Sequence, residues 1–200
     1  MKQIVLICAV LGIVMAGMCC VASAQAAEAG RVALPQPDKS GGKPLMEALA
    51  LRASTRSFSD KPVADQDLGN LLWAVWGVNR DGGRRTAPTA KNSQEVAVYV
   101  ARADGVWLYD GVRHELVPAL SGDFRAKLGG APLTLLYAAP VNNEFSGMHI
   151  GSLYQNAGLY CASAGLANVV KRSGADALDS VLKLPDGYKV YIIHPIGWPK

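Results

Sequence analysis

Cysteine is scarce in this 200-residue chain, and three of its four cysteines, Cys8, Cys19 and Cys20, crowd into the first twenty positions. With those assigned to an export leader, only Cys161 remains, which excludes an internal disulfide and leaves the fold to its hydrophobic core. Histidine is equally thin. His114, His149 and His194 are widely spaced with no metal-type pairing, so each reads as structural and no metal site is expected. No serine sits in a Gly-x-Ser-x-Gly elbow, and no Walker-type phosphate loop is present. A long basic run is missing too, which gives no case for nucleic acid. The stretch from Phe145 to Val170 lacks Asp, Glu, Lys and Arg altogether.

The N-terminus supplies the long apolar run found nowhere else. Lys2 is followed by Ile4 to Met18 without a charge, then by Ala22-Ser23-Ala24 and Ala24-Gln25-Ala26, both of the A-x-A cleavage type. The expectation is an exported, periplasmic or secreted protein cleaved near Ala24, with no stable membrane insertion afterwards. An uncleaved N-terminal anchor is the alternative, and Met18 directly before Cys19 argues against a lipoprotein signal. Without Lys2 the 20 basic residues fall to 19 against 16 acidic, a mildly basic balance of +3. Residues 1–24 are thus a signal peptide. Residues 25–43, with Pro35, Pro37, Gly41 and Gly42, are an extended arm or linker, and residues 44–200 form one domain.

Within that domain, Pro44 to Leu51 reads as a short helix with Pro in its first turn and Leu45 and Leu49 as apolar anchors. Asp65 to Trp76 is the clearest helix, because Leu68, Leu71, Leu72, Val75 and Trp76 share one face and Gly77 follows. Trp73 falls off that stripe, open to a ligand, a partner or simple rim packing. Glu95–Ala101, Val106–Tyr109 and His114–Val117 are strands separated by Asp-Gly turns, an antiparallel meander. Leu133–Ala139 is a continuous apolar run and reads as a buried strand. Ala175–Leu182 reads as a helix and Lys189–Ile193 as the last strand. Strands and helices without regular βαβ spacing indicate α+β. The uncharged helix ending at Gly165 must be buried on nearly every side, either in a homodimer interface or as a central core helix.

Two runs are rich in groups that hold polar ligands. Arg52-x-Ser54-x-Arg56 places two guanidinium forks and a hydroxyl on one side of an extended segment, a set suited to phosphate. Its alternative is a solvated basic surface. The second run, Arg85 to Gln94, adds the amides of Asn92 and Gln94 and several hydroxyls, which suit a polar ring.

The pattern Arg52-x-Ser54-x-Arg56-x-Phe58 and the segment Leu71-Leu72-Trp73-Ala74-x-Trp76-Gly77-Val78-Asn79-Arg80 carry a resemblance. It continues through Arg85 to Gln94, Tyr154-Gln155-Asn156, Gly165-Leu166-Ala167, Lys171-Arg172-Ser173-Gly174 and the ending Pro195-Ile196-Gly197-Trp198-Pro199. Taken in order, from about Leu45 to Pro199, they resemble the nitroreductase family, and more closely its SagB/ThcOx-type branch of short exported members.

The resemblance implies an α+β nitroreductase-like fold: an antiparallel or mixed central sheet flanked by helices, in an intertwined homodimer with two non-covalent FMN molecules at the interface. Arg52, Ser54 and Arg56 would hold the phosphate and nearby oxygens, Asn92 with Gln94 would approach the flavin, and the segment from Val170 through Ser173 to Gly174 would lay backbone N–H groups near flavin N5. Residues before the long helix would come from the partner subunit. The reaction would be flavin-mediated reduction of a small aromatic or quinone-like acceptor, with NAD(P)H as the family-like donor and no separate catalytic residue assigned. Export complicates that donor, because nicotinamide cofactors are cytosolic. Many members continue past the Gly-aromatic-Pro ending into a basic tail; with the sequence ending at Lys200, phosphate binding would rest on Arg52 and Arg56, with Lys171 or Arg172 as further candidates. A flavin- or ligand-binding protein without turnover, and a peptide azoline dehydrogenase, are the alternative functions.

Overall fold

A computed structural model describes residues 30–200. The expected leader and cleavage site, and the start of the arm, lie outside the described residues. A short strand β1 (Val32–Ala33) is followed by helix α1 (Leu45–Leu51), helix α2 (Asp65–Trp76) and a small hairpin of β2 (Val78–Arg80) and β3 (Arg84–Arg85). Strands β4 (Ala97–Arg102), β5 (Gly105–Asp110), β6 (Glu115–Ser121) and β7 (Leu133–Pro140) come next. They are followed by helix α3 (Ser146–Ala164), β8 (Ala167–Asn168) and β9 (Tyr188–Gly197). Seven strands form one sheet in the order β1-β6-β5-β4-β7-β9-β8, every neighbouring pair antiparallel. This is the α+β arrangement, a central antiparallel sheet with flanking helices, that the sequence leads one to expect.

β7 lies inside the sheet between β4 and β9 and is buried on both faces, which is why its sequence is continuous rather than alternating. Leu133, Leu135, Tyr137 and Ala139 point to the face covered by α2 and α3, where they meet Leu68, Leu72, Val75, Leu153 and Cys161. Leu136 and Ala138 point to the other face, against Leu128, Ala175, Leu178 and Leu182. All five stripe residues of α2 are buried, and Asp65 and Asp67 in its first turn complement the helix dipole. Gly77 caps α2 in an extended conformation, so its need for glycine is steric: a Cβ there would lie 2.3 Å from Trp73 Cδ1. Gly165, by contrast, ends α3 in the left-handed conformation at φ 76°.

Three expectations change. Ala175–Leu182 is a chain of turns, not a helix: Ala175, Ala177, Asp179 and Val181 donate their N–H groups three residues back, and only Leu182 reaches four back, to Leu178. Asp176, Asp179 and Ser180 favour such local turns, while Ala175, Leu178 and Leu182 still bury their side chains as a helix would. The last strand is twice the expected length, because Pro195 is accommodated within β9, opposite Thr134, and accepts a hydrogen bond from Val169 N–H through its carbonyl. In α1 the buried residue is Ala48, which faces α3; Leu45 and Leu49 are exposed, together with Met46 and Leu51. Likewise α3 is not enclosed within one protomer, since Met148 is 69 % exposed and Phe145 stands beside it at the surface. No helix among the described residues is long and apolar enough to cross a membrane.

Candidate active site

α1 closes with Arg52 N–H donating to Ala48 O, and the chain then runs along the open edge of the sheet. Thr55 N–H donates to Asn168 O of β8 at 2.8 Å, Phe58 pairs with Pro199, and Ser59 N–H donates to Trp198 O at 2.9 Å. The stem of Arg52 crosses α3 at Gly158, where an added Cβ would stand 3.7 Å from Arg52 Cγ and Cδ. Arg52, Ser54 and Arg56 are exposed, and neither arginine has a carboxylate partner among the described residues. These are two charges without a carboxylate partner among the described residues and a hydroxyl, on one short edge segment.

The segment after β8 extends the same edge. Val169 N–H donates to Pro195 O and Lys171 N–H to Ile193 O, so residues 169 and 171 face β9. Extended backbone alternates, and the N–H groups of Val170 and Arg172 therefore face outward, on the edge where Thr55 meets Asn168. The expected donor segment thus resolves into Val170 and, in addition, Arg172. Ser173 is exposed just beyond. Gly174, at φ 88°, turns the chain inward, and a Cβ there would meet Ile193 Cδ1 at 3.2 Å. Gly174 is a turn residue here.

The second run forms a tight loop at the other end of α3. Lys91, Asn92 and Gln94 all have left-handed φ angles of 53°, 55° and 50°, each costing about 1 kcal/mol or more for a residue with a side chain. Side chains offset that strain. Ala90 N–H donates to His149 Nε2 at 2.8 Å, Gln94 N–H to Thr89 Oγ1 at 3.1 Å, and Gln94 Nε2 to both Gly83 O and Asn92 Oδ1. Arg85 Nε donates to Gln94 Oε1 while Nη1 reaches Trp76 O. Gln94 is thereby spent on the loop itself, whereas Asn92 stays exposed with its amide nitrogen free for a ligand. His149 and Gly158 are nine residues apart on α3, about 13 Å along its axis. Within one chain the two runs therefore flank one helix without touching.

His149 accepts from Ala90 through Nε2, so its proton sits on Nδ1, which donates to Glu95 Oε1. Burial pushes the Glu95 carboxyl up, but hydrogen bonds from Ser93, His149 and the backbone outweigh it and hold it below the ordinary glutamate range. His149→Ala should cost about 1–3 kcal/mol in denaturant unfolding, because it strands the Ala90 donor and removes one of the donors to Glu95 Oε1, and should raise hydrogen exchange across residues 90–94.

The profile of the nitroreductase family matches residues 49–198, a span that holds the edge segment, the strained loop and the whole sheet after α1. The chain belongs to the nitroreductase family. A Ralstonia eutropha JMP134 protein with a provisional nitroreductase name is 35 % identical in its crystal structure, with a TM-score of 0.76 over 85 % of this chain and 90 % of that one. MJ1384 of Methanocaldococcus jannaschii, also provisionally named a nitroreductase, is 26 % identical over 62 % of this chain and 76 % of its own length. The fold, though not more, is shared with a Bacteroides fragilis nitroreductase crystallised with FMN, at 16 % identity and a TM-score of 0.57 over 79 % of this chain and 89 % of that one. It is shared equally with the E. coli microcin synthetase McbBCD complex, at 18 % identity and a TM-score of 0.62 over 84 % and 78 %.

The remaining candidates of this nitroreductase-family protein lie elsewhere. Trp73 donates through Nε1 to Val78 O, lies under Lys39 of the arm and lines the cleft beneath it. Cys161 is fully buried and burial pushes its thiol up, so it is inert. His114 bonds Tyr109 and pins the arm through Pro35 O. Two clefts of about 410 and 360 Å³, one under the arm and one by Arg102 and Arg125, lie away from the Arg52–Arg56 edge. That edge is open in the single protomer. Asn168 and Glu95 carry no signal in the sequence, since only the pairing of β8 and the packing of α3 reveal them.

Proposed function

We propose that this protein is an exported, homodimeric FMN-dependent oxidoreductase of the nitroreductase type. The observation that carries the reading is the sheet edge on which Arg52, Ser54 and Arg56, without counter-ions, stand in line with the outward N–H groups of Val170 and Arg172. A dianionic phosphate fits the arginine end, where charge-assisted bonds are strong. The outward N–H groups fit a ring that becomes electron-rich on reduction. Bound FMN would supply the redox step, accepting two electrons from a donor and passing them to a small nitroaromatic or quinone-like acceptor. The chain's part is to hold and orient: Arg52, Ser54 and Arg56 bind the phosphate end, and the clamped loop presents Asn92.

A second protomer would close the open edge. Its landing surface is the exposed apolar set Leu45, Met46, Leu49 and Leu51 on α1, with Phe145 just before the uncharged α3 and Met148 on it. Light scattering at micromolar concentration should give the mass of a dimer; a clean monomer would overturn the interface. Export and membership of the SagB/ThcOx-type branch rest on the leader-like N-terminus and the motif order. An exported enzyme would draw its electrons from a donor other than cytosolic NAD(P)H. The functional test is anaerobic: the reduced holoprotein should be reoxidised by a nitroaromatic or a quinone. A reduced flavin that no such acceptor reoxidises would favour a non-catalytic binder.

A further inference from the structure

Beneath the open edge runs a buried hydrogen-bonded chain that the proposed function leaves unused. Tyr137 on β7 and His194 on β9 are both fully buried. Tyr137 Oη lies 3.3 Å from His194 Nδ1, and His194 Nε2 lies 3.0 Å from Asn168 Oδ1. Asn168 in turn accepts Thr55 N–H through its backbone oxygen, beside the stem of Arg52.

We propose that Asn168 is a ligand-contacting residue whose amide NH₂ donates to an oxygen of the ribityl–phosphate end of the cofactor, and that Tyr137 and His194 are positioning residues that fix which end of that amide faces the open edge. The inference rests on the reading of the edge as an FMN site.

The direction of the chain follows from counting donors. Burial lowers the His194 pKa to about 3, so the imidazole is neutral, with one donor and one acceptor. If Tyr137 donates to Nδ1, Nε2–H donates to Asn168 Oδ1 and every polar hydrogen is used. The reverse order would leave the Tyr137 O–H, which has no other hydrogen bond among the described residues, buried and unpaired. Oδ1 is therefore turned inward, and Nδ2 is turned away from His194. Nδ2 has no protein partner among the described residues, yet it is not a sealed buried atom, so it opens outward. The Asn168 side chain, whose Oδ1 and the Arg52 stem both approach Gly158, lies at the far end of α3 from the Asn92 loop, and this selects the phosphate end of the cofactor rather than the ring.

The experiment compares FMN affinity, by quenching of flavin fluorescence, in the wild type, Asn168→Ala and Asn168→Asp, together with the ¹⁵N spectra of the wild-type and Tyr137→Phe proteins. Asn168→Ala should weaken FMN about five- to tenfold, the loss of one hydrogen bond. Asn168→Asp should weaken it further, because a carboxylate replaces a donor beside the phosphate. In the spectra His194 should be the Nε2–H tautomer, and Tyr137→Phe should disturb that signature and loosen FMN two- to threefold. The Asn168 side-chain NH₂ pair of the wild type, assigned by its absence in Asn168→Asp, should shift when FMN is added, which tests the contact even if an alanine variant fails to fold. Wild-type FMN binding with no such shift, or with equal affinity in all three proteins, overturns the contact alone. A wild type that takes up no FMN overturns the functional reading and the contact with it. An Nδ1–H tautomer overturns the positioning role.

Discussion

Arg52→Ala should weaken FMN binding by about 1.5–3 kcal/mol, roughly ten- to a hundredfold in Kd. The size follows from what Arg52 does in the protein. Its guanidinium meets no carboxylate among the described residues, so its removal leaves no stranded acid, and folding stability should change by less than about 0.5 kcal/mol. What is lost is the charge-assisted bonding to phosphate. Arg52→Lys keeps the charge but not the planar fork and should fall between wild type and alanine. Arg56→Ala should behave similarly, and both penalties should shrink as salt rises, because the two side chains are exposed. Fluorescence titration at two ionic strengths reads all of this. Unchanged affinity in Arg52→Ala would remove the phosphate assignment.

Acid should unfold the protein earlier than its carboxylates alone would require. His194 is neutral in the folded state because burial lowers its pKa to about 3, against an ordinary value near 6.5. Its contribution is therefore complete above about pH 6.5 and is lost as pH falls, since the unfolded chain takes up a proton that the folded chain refuses until about pH 3. One such proton gives a slope of about 1.4 kcal/mol per pH unit, and the loss accumulated by pH 4 is on the order of 3 kcal/mol, a large share of a domain's stability. His114, also lowered by burial, acts in the same direction. Glu95 follows at lower pH. Held below its ordinary value of 4.5, it contributes above that value and fails as pH drops through its depressed folded pKa. Denaturant midpoints at pH 7, 6, 5 and 4 measure the slope. His194→Gln keeps a donor for Asn168 but cannot titrate, and it should flatten the curve between pH 6 and 4. Equal slopes in variant and wild type would contradict this reading of the buried histidine.

Much of the fold could be read from side-chain periodicity. The α2 stripe, the antiparallel meander and the buried β7 follow directly from which residues are apolar and how they are spaced. The turns at residues 175–182 were not legible, because Ala175, Leu178 and Leu182 bury the same face whether the backbone closes three or four residues back. The full length of β9 was hidden by Pro195, a residue that argues against a central strand until its neighbours are known. The exposure of Leu45 and Leu49 was hidden because an apolar helix face does not say whether its partner is its own chain or another. In the site, Arg52, Ser54 and Arg56 were legible as two guanidinium groups and a hydroxyl at alternate positions of one short segment. The contacts of Gln94 were not legible, because only the folded loop shows its side-chain amide meeting Arg85, Gly83 O and Asn92. Asn168 had no signal of its own: its role exists only where β8 meets Thr55 on one side and His194 on the other.

The most direct measurement is an equilibrium titration of the purified protein with FMN, followed by gel filtration and a visible absorption spectrum of the protein peak. An FMN site shared between two subunits predicts saturable uptake of one FMN per chain, retained as a yellow protein that elutes as a dimer. A colourless protein that leaves added FMN unbound would contradict it.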